Sequence, residues 1–260
     1  MKIFLTLISL VAVSFSLIFF LAKGEVSKLL DLIFPENQQV DANDSGEMQP
    51  YDTTIIKIKD KVLLDAPIIK QFPELPRGCE VTSLAMLLQY KGIKADKMSL
   101  ANQISKNSVP LKKENGRIFW GNPNEGFIGD MYSYNNPGYG VYHKPIKQLA
   151  EQFLPGKIKD LTGGEFTELQ TFLSLDIPVW IITNTTYKKL PESAFEKWQT
   201  PGGEIKITYK EHSVLVTGYD EKVIYFNDPI SGAKNKAIPK EDFLAAWKQM
   251  GSQAVTYLPD

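Results

Sequence analysis

Hydrophobic positions along this chain follow three patterns. The first is a nearly unbroken apolar run over residues 3–22, interrupted only by Thr6, Ser9, Ser14 and Ser16. As a helix, at about 1.5 Å per residue, it spans roughly 30 Å, the thickness of a bilayer's hydrocarbon core. A secretory leader has a shorter apolar centre, about 7–15 residues, and ends in a small-x-small cleavage site. The Leu-Ala-Lys-Gly that closes this run is a poor one. The pattern predicts an uncleaved signal-anchor helix over 1–24, with a cleaved leader as the alternative. The expected location is therefore a single-pass membrane protein with an extracytoplasmic domain, or a secreted protein if the segment is removed.

The second pattern is polar. Residues 35–50, PENQQVDANDSGEMQP, bring too little apolar surface to offset the entropy of ordering them. Residues 25–60 read as a stalk and linker, with a short helix in 26–34. The third pattern, over 61–260, alternates between the helical and the strand period. Helices are predicted over 79–90, 99–105, 145–153, 166–175 and 239–250. Strands are predicted over 178–183, 205–209, 213–219, 223–227 and 253–258, with a tight turn at Asp220–Glu221. Helices come early and an antiparallel sheet comes late, which is an α+β arrangement. Residues 120–142, rich in Gly, Asn, Pro and aromatics, predict a long ordered loop of the kind that lines a site. Trp120, Phe127 and Tyr139 are its candidate substrate contacts.

Charge and rare residues narrow the chemistry. Among 260 residues the net charge is -1, which does not make a nucleic-acid footprint. No Gly-rich phosphate loop is present, so no nucleotide is expected. One cysteine cannot form an internal disulfide, and one cysteine with two histidines does not readily close a zinc site. No metal or cofactor is expected.

The cysteine, Cys79, stands where Pro76-Arg77-Gly78 gives way to an apolar helix. There the free N–H groups and positive end of a helix favour a thiolate. The plain alternative is a packed cysteine sealing a core helix. A nucleophilic thiol needs a base. His143, beside Lys144 and ahead of Pro145, reads as a loop residue. His212 starts a strand whose positions 212, 214 and 216 share a face, polar at its end and apolar beyond. Pairing Gly218 with Lys222 sets Val216 against Ile224, Val214 against Phe226 and His212 against Asp228. A two-residue turn puts Asn227 on that face instead. Asp228 is preferred because it leaves the Val, Ile and Phe face unbroken. Either side chain can orient an imidazole. The Cys79 N–H is one candidate donor to an oxyanion, and Gln71, eight residues earlier, is a second.

Gln71 with PELPRGCEVTSLAMLL, WGNPNEGFIGDM with GYGVYHKPI, EHSVLVTGYD, and VIYFNDP together resemble a papain-like cysteine peptidase. More narrowly the chain is similar to an exported bacterial branch related to the peptidases that cut double-glycine leaders from bacteriocins. The resemblance implies a papain-like fold, with Cys79 on an N-terminal helix and His212 and Asp228 on a C-terminal sheet. It implies Cys79 as nucleophile, His212 as general base and acid, Asp228 as its orienting partner and Gln71 as an oxyanion donor. Gln71 stands further from the cysteine than in leader peptidases, Glu80 directly follows the nucleophile, and the sequence carries no transporter. A leader substrate therefore does not follow. The expectation is a hydrolase acting on a peptide or a cell-wall-related amide through a thioester. Acyl transfer by the same residues, and a non-catalytic peptide or cell-wall binding module, are the alternatives.

Overall fold

The computed structural model describes residues 56–260. The expected anchor over 1–24 and most of the expected linker lie outside them. Among the described residues no helix is long and apolar enough to cross a membrane. In chain order the strands are β1 (Val62–Leu63), β2 (Lys106–Asn107), β3 (Lys112–Glu114), β4 (Arg117–Phe119), β5 (Phe127–Ile128), β6 (Ile158–Asp160), β7 (Val179–Asn184), β8 (Glu196–Thr200), β9 (Gly203–Ile207), β10 (Glu211–Tyr219), β11 (Val223–Asp228), β12 (Ala233–Pro239) and β13 (Ala254–Tyr257). The helices are α1 (Cys79–Tyr90), α2 (Lys97–Gln103), α3 (His143–Glu151), α4 (Phe166–Ser174) and α5 (Lys240–Gln249).

The main sheet is antiparallel in the order β12-β11-β10-β7-β13-β6, with β1 also pairing β10. Strand alternation gives it two apolar faces. Trp180, Ile182, Leu215 and Val255 meet α1 and α3 in one cluster. Val179, Ile181, Val214, Val216 and Ala254 meet α4 and α5 in another. Both faces are therefore covered, and β7 and the middle of β10 are buried throughout. This is a mixed α+β fold, as the sequence predicts, with helices on both sides of the sheet.

Local chemistry sets the helix starts. The α2 segment begins two residues before its apolar pattern because Asp96 caps it, accepting from the Met98 and Ser99 N–H groups at 3.0 Å each. The α3 segment begins at His143 and carries Pro145 inside its first turn, where a missing N–H costs nothing. A reciprocal Glu165–Glu168 capping box opens α4. The α1 helix is buried from Cys79 to Leu88 on all sides and stops at Gly92, whose φ of 88° suits a residue without Cβ.

The remaining strands form a four-stranded sheet, β3-β4-β8-β9, and a parallel pair, β2-β5. The strand predicted over 205–209 belongs to the four-stranded sheet as β9, not to the main one. It packs the 120–142 segment through a cluster of Trp120, Ile128, Tyr139, Trp198 and Ile207.

Candidate active site

The α1 helix opens on Cys79. Gly78 ahead of it has no room for a side chain: a Cβ there would sit 2.6 Å from that of Leu75. The helix lies against β10, with the Ser83 hydroxyl donating to the Ser213 carbonyl at 3.1 Å. The Ser213 backbone in turn favours the charged form of the Cys79 sulfur. The nucleophile candidate is thus held against the residue that follows His212.

Two acids, which no motif identified as a pair, flank the sulfur. The Cys79 thiol donates to Glu80 Oε2 at 3.3 Å, and Glu80 Oε1 accepts the Val141 N–H at 2.7 Å. Donor atoms of Cys79, Glu80 and Glu211 all lie within 4.8 Å of one another. Gly140 makes the space: a Cβ on it would lie 2.4 Å from Glu80 Oε1 and 3.1 Å from Glu211 Oε2. Burial raises Glu80 to about 7, against the pull of its hydrogen bonds. Burial and the charge of Glu80 push Glu211 well above the ordinary carboxylate range. Burial, then Glu80 and Glu211, push the Cys79 thiol well above its ordinary value, with the Ser213 N–H opposing. The pull of the helix start is therefore overcome. A helix terminus contributes about 0.3–2 kcal/mol, and desolvation beside two carboxylates outweighs it.

One consequence is measurable. In Glu80→Gln the amide keeps an acceptor for the Val141 N–H but removes a charge beside the sulfur. Each pKa unit by which the thiol falls gives about a tenfold larger thiolate fraction. Iodoacetamide at pH 8 is expected to alkylate the variant several-fold faster than the parent.

His212 and Asp228 do come together. His212 Nε2 donates to Asp228 Oδ1 at 3.0 Å. His212 is fully buried, and among the described residues its Nδ1 has no partner. With the proton on Nε2, Nδ1 carries the free lone pair that a base requires. Asp228 Oδ1 also accepts the Ile230 N–H at 3.0 Å. Its Oδ2 accepts from the Tyr187 hydroxyl (2.9 Å), the Ser231 hydroxyl (2.7 Å) and Lys236 Nζ (3.2 Å). Burial alone would raise this carboxyl. The bond from His212, with those from Ser231 and Tyr187, instead holds it well below the usual carboxylate range.

The hairpin register differs from the predicted one. Val216 faces Phe226, not Ile224, and a bulge follows, so that Gly218 faces Tyr225. The slip is two residues before the bulge, which preserves the face. His212, Val214 and Val216 still share their side with Phe226 and Asp228. Asn227 turns the other way, donating to the Ala66 and Pro67 carbonyls at 3.1 and 2.9 Å.

Cys79 lines a cavity of about 310 Å³ with Gln71, Arg77, Tyr139, Tyr209 and Glu211 among its walls. The neighbours of the dyad, Glu211 and Ile230, line it, whereas His212 and Asp228 are buried and do not. Of the predicted loop contacts, Tyr139 is on this wall. Trp120 and Phe127 are not. Trp120 is buried against Trp198, with ring centroids 5.3 Å apart, and Phe127 packs in the core with α1. Their apolar area anchors the loop. Tyr134 and Gly138 of the same loop take the wall position. Gln71 is also on the wall, but both amide protons are committed, to the Leu75 and Pro76 carbonyls at 3.1 and 2.9 Å. Its free atom is the acceptor Oε1, which is buried without a partner. His143 lies elsewhere. Its Nδ1 donates to Asp160 at 2.7 Å and, together with Thr162 and against burial, holds that carboxyl at about 2.

The model of the Peptidase_C39 like family matches residues 63–255. The chain belongs to the C39-like peptidase family. Among its relatives is the uncharacterized protein YvpB of Bacillus subtilis (strain 168), 50% identical over 183 residues, 70% of each chain. A crystal structure of a Bacillus anthracis protein assigned as a C39-like peptidase is 48% identical, with a TM-score of 0.73. It covers 78% of this chain and 99% of its own. A cysteine protease of Carica candamarcensis, CMS1MS2, is a remote neighbour at 12% identity and a TM-score of 0.37, over 78% of this chain and all of its own. The matched residues run from β1 to β13 and carry every site residue described above.

Proposed function

We propose that this chain is a cysteine hydrolase that cuts a peptide or related amide outside the cytoplasm. The observation that carries the reading is a cleft-lining cysteine at a helix start within 4.8 Å of Glu211, the residue before His212, with His212 itself buried and paired with Asp228. The Ser213 backbone favours the charged sulfur, and among the described residues His212 Nδ1 has no hydrogen-bond partner. In the reaction, the thiol turns from Glu80 to His212 Nδ1 and gives up its proton as sulfur attacks the carbonyl carbon. The Cys79 N–H, free as the first of a helix, receives the oxyanion. The C–N bond breaks as His212 returns the proton to the leaving amine. Water, deprotonated by His212, then cleaves the thioester and frees the acid. Gln71 joins the oxyanion site only if it releases the Leu75 and Pro76 carbonyls. The apolar run over 3–22 is the argument for membrane attachment and export.

A second reading, a peptide- or cell-wall-binding module without turnover, draws support from one observation. The thiol is pushed up by burial and two acids and is bonded to Glu80 rather than to His212.

An impermeant peptidyl acyloxymethyl ketone on intact cells separates the readings. The full chain is expected to be labelled from outside, and Cys79→Ala not to be. Labelling only after lysis would remove the extracytoplasmic placement. Absence of labelling alongside retained peptide binding would favour the module.

A further inference from the structure

The cleft beside Cys79 offers acceptors where the proposed hydrolysis asks for donors. Glu211 lines it, and among the described residues Glu211 Oε1 is buried without a hydrogen-bond partner. Gln71 lines it too, at 1% exposure, and its Oε1 is likewise unpartnered. That amide cannot flip, because a flip would set Oε1 against the two carbonyls that Nε2 now serves. Arg77, the cation on the wall, gives Nη1 to the carbonyls of Asp130 and Ser133, lies over the Tyr134 ring at 4.8 Å, and donates to neither Glu211 nor Gln71. Unpartnered buried acceptors are costly unless something donates to them. An ammonium group, with three donors and a positive charge, meets that need.

Distance selects which ammonium. A carboxylate oxygen of Glu211 lies within 4.8 Å of Cys79 Sγ. A carbonyl carbon poised for attack sits about 3–3.5 Å from sulfur. The α-nitrogen of the same residue is about 2.5 Å from that carbon by covalent geometry. A charge-assisted N–H···O bond adds about 2.7–2.9 Å. These lengths close a compact polygon from sulfur to carboxylate. A side-chain ammonium at the end of four methylenes would have to fold back on itself to do the same. The crowding of Glu80 and Glu211, which makes the empty pair retain a proton, leaves room for a ligand's positive charge in its place.

Resting on the hydrolase reading above, we propose that Glu211, with Gln71, binds the free α-ammonium of the residue whose carbonyl Cys79 attacks, so that the cleft takes an amino-terminal residue rather than an internal peptide bond.

The test compares alanyl chloromethyl ketone with its N-acetyl counterpart on the full chain, with EDTA present so that no divalent cation occupies the acids. Cys79 modification is followed by mass spectrometry. The free-amine reagent is expected to react faster by at least about tenfold, from a hydrogen bond to a charged group. Glu211→Gln is expected to remove that preference. The same variant should react with iodoacetamide no more slowly than the parent, which shows the thiol site intact. Equal rates for the two reagents, or a preference that survives in Glu211→Gln, would overturn the subsite alone. Failure of both reagents to modify Cys79 would overturn the hydrolase reading and the subsite with it.

Discussion

Replacing His212 with alanine is expected to lower kcat/KM for a cleavable peptide by about 10⁴-fold or more at pH 7, as the loss of a base in a nucleophile–base pair does. The physical case is stronger here than for a thiol already ionised at rest. Burial, Glu80 and Glu211 all keep the proton on Cys79, so the attacking sulfur depends on an acceptor at the moment of reaction. His212 supplies a buried nitrogen with no other partner. Glu80 is not an equivalent substitute, since its other oxygen holds the Val141 N–H, which favours the carboxylate over the acid that must hand a proton to the leaving amine.

The pH profile gives this expectation a second edge. In the variant, only bulk hydroxide removes the thiol proton. Because the thiol pKa is raised, its rate should keep climbing with pH beyond about 8.5, the ordinary thiol value, with no plateau there. The parent should not show that climb, because His212 takes the proton. Retention of more than a tenth of parental kcat/KM at pH 7 by a folded His212→Ala protein would remove His212 from the base role.

Much of this site is legible before any coordinates because it depends on periodicities. The face shared by His212, Val214 and Val216 follows from strand alternation alone. It survives even though the hairpin register is two residues off and Thr217 is bulged, because a slip of two does not turn a strand over. The α1 boundaries follow from Gly78 and the apolar run behind it. What escapes is whatever depends on packing rather than on period. Trp120 and Phe127 look like cleft aromatics but pack inward, because apolar area is worth more buried than lining a wet wall. The β12 strand is missed because an edge strand buries little and reads as polar, AKNKAIP.

The two acids could have been suspected. Glu80 follows the cysteine and Glu211 precedes the histidine, so any fold that joins Cys79 to His212 also draws those carboxylates together. What no sequence pattern states is their joint effect on the thiol. That effect reverses the expectation of a thiolate from the helix start, because desolvation is a property of the assembled core.

Asp228→Ala is the change expected to damage both folding and chemistry. It removes the acceptor of His212, Tyr187, Ser231, Lys236 and the Ile230 N–H at once. Removing one partner of a buried charged network costs about 3–5 kcal/mol, which in a domain of this size is a large share of total stability. Denaturant midpoints should fall accordingly. The pH dependence has a definite sign. The Asp228 carboxyl is held down in the folded state, so its contribution is fully present above its unfolded pKa of about 3.9 and is lost as pH falls towards the folded value. The stability gap between parent and variant should therefore narrow below about pH 4 and stay constant above it. Asp228→Asn should fall between the two. One amide oxygen can accept from His212 Nε2, but the amide nitrogen then faces Lys236 and leaves its ammonium without the carboxylate. Hydrolysis should follow the same order, with the asparagine variant the more active, because an oriented imidazole is what the reaction needs from position 228. If Asp228→Ala kept parental activity and stability, the buried dyad would be neither the orienting element nor a keystone of the sheet.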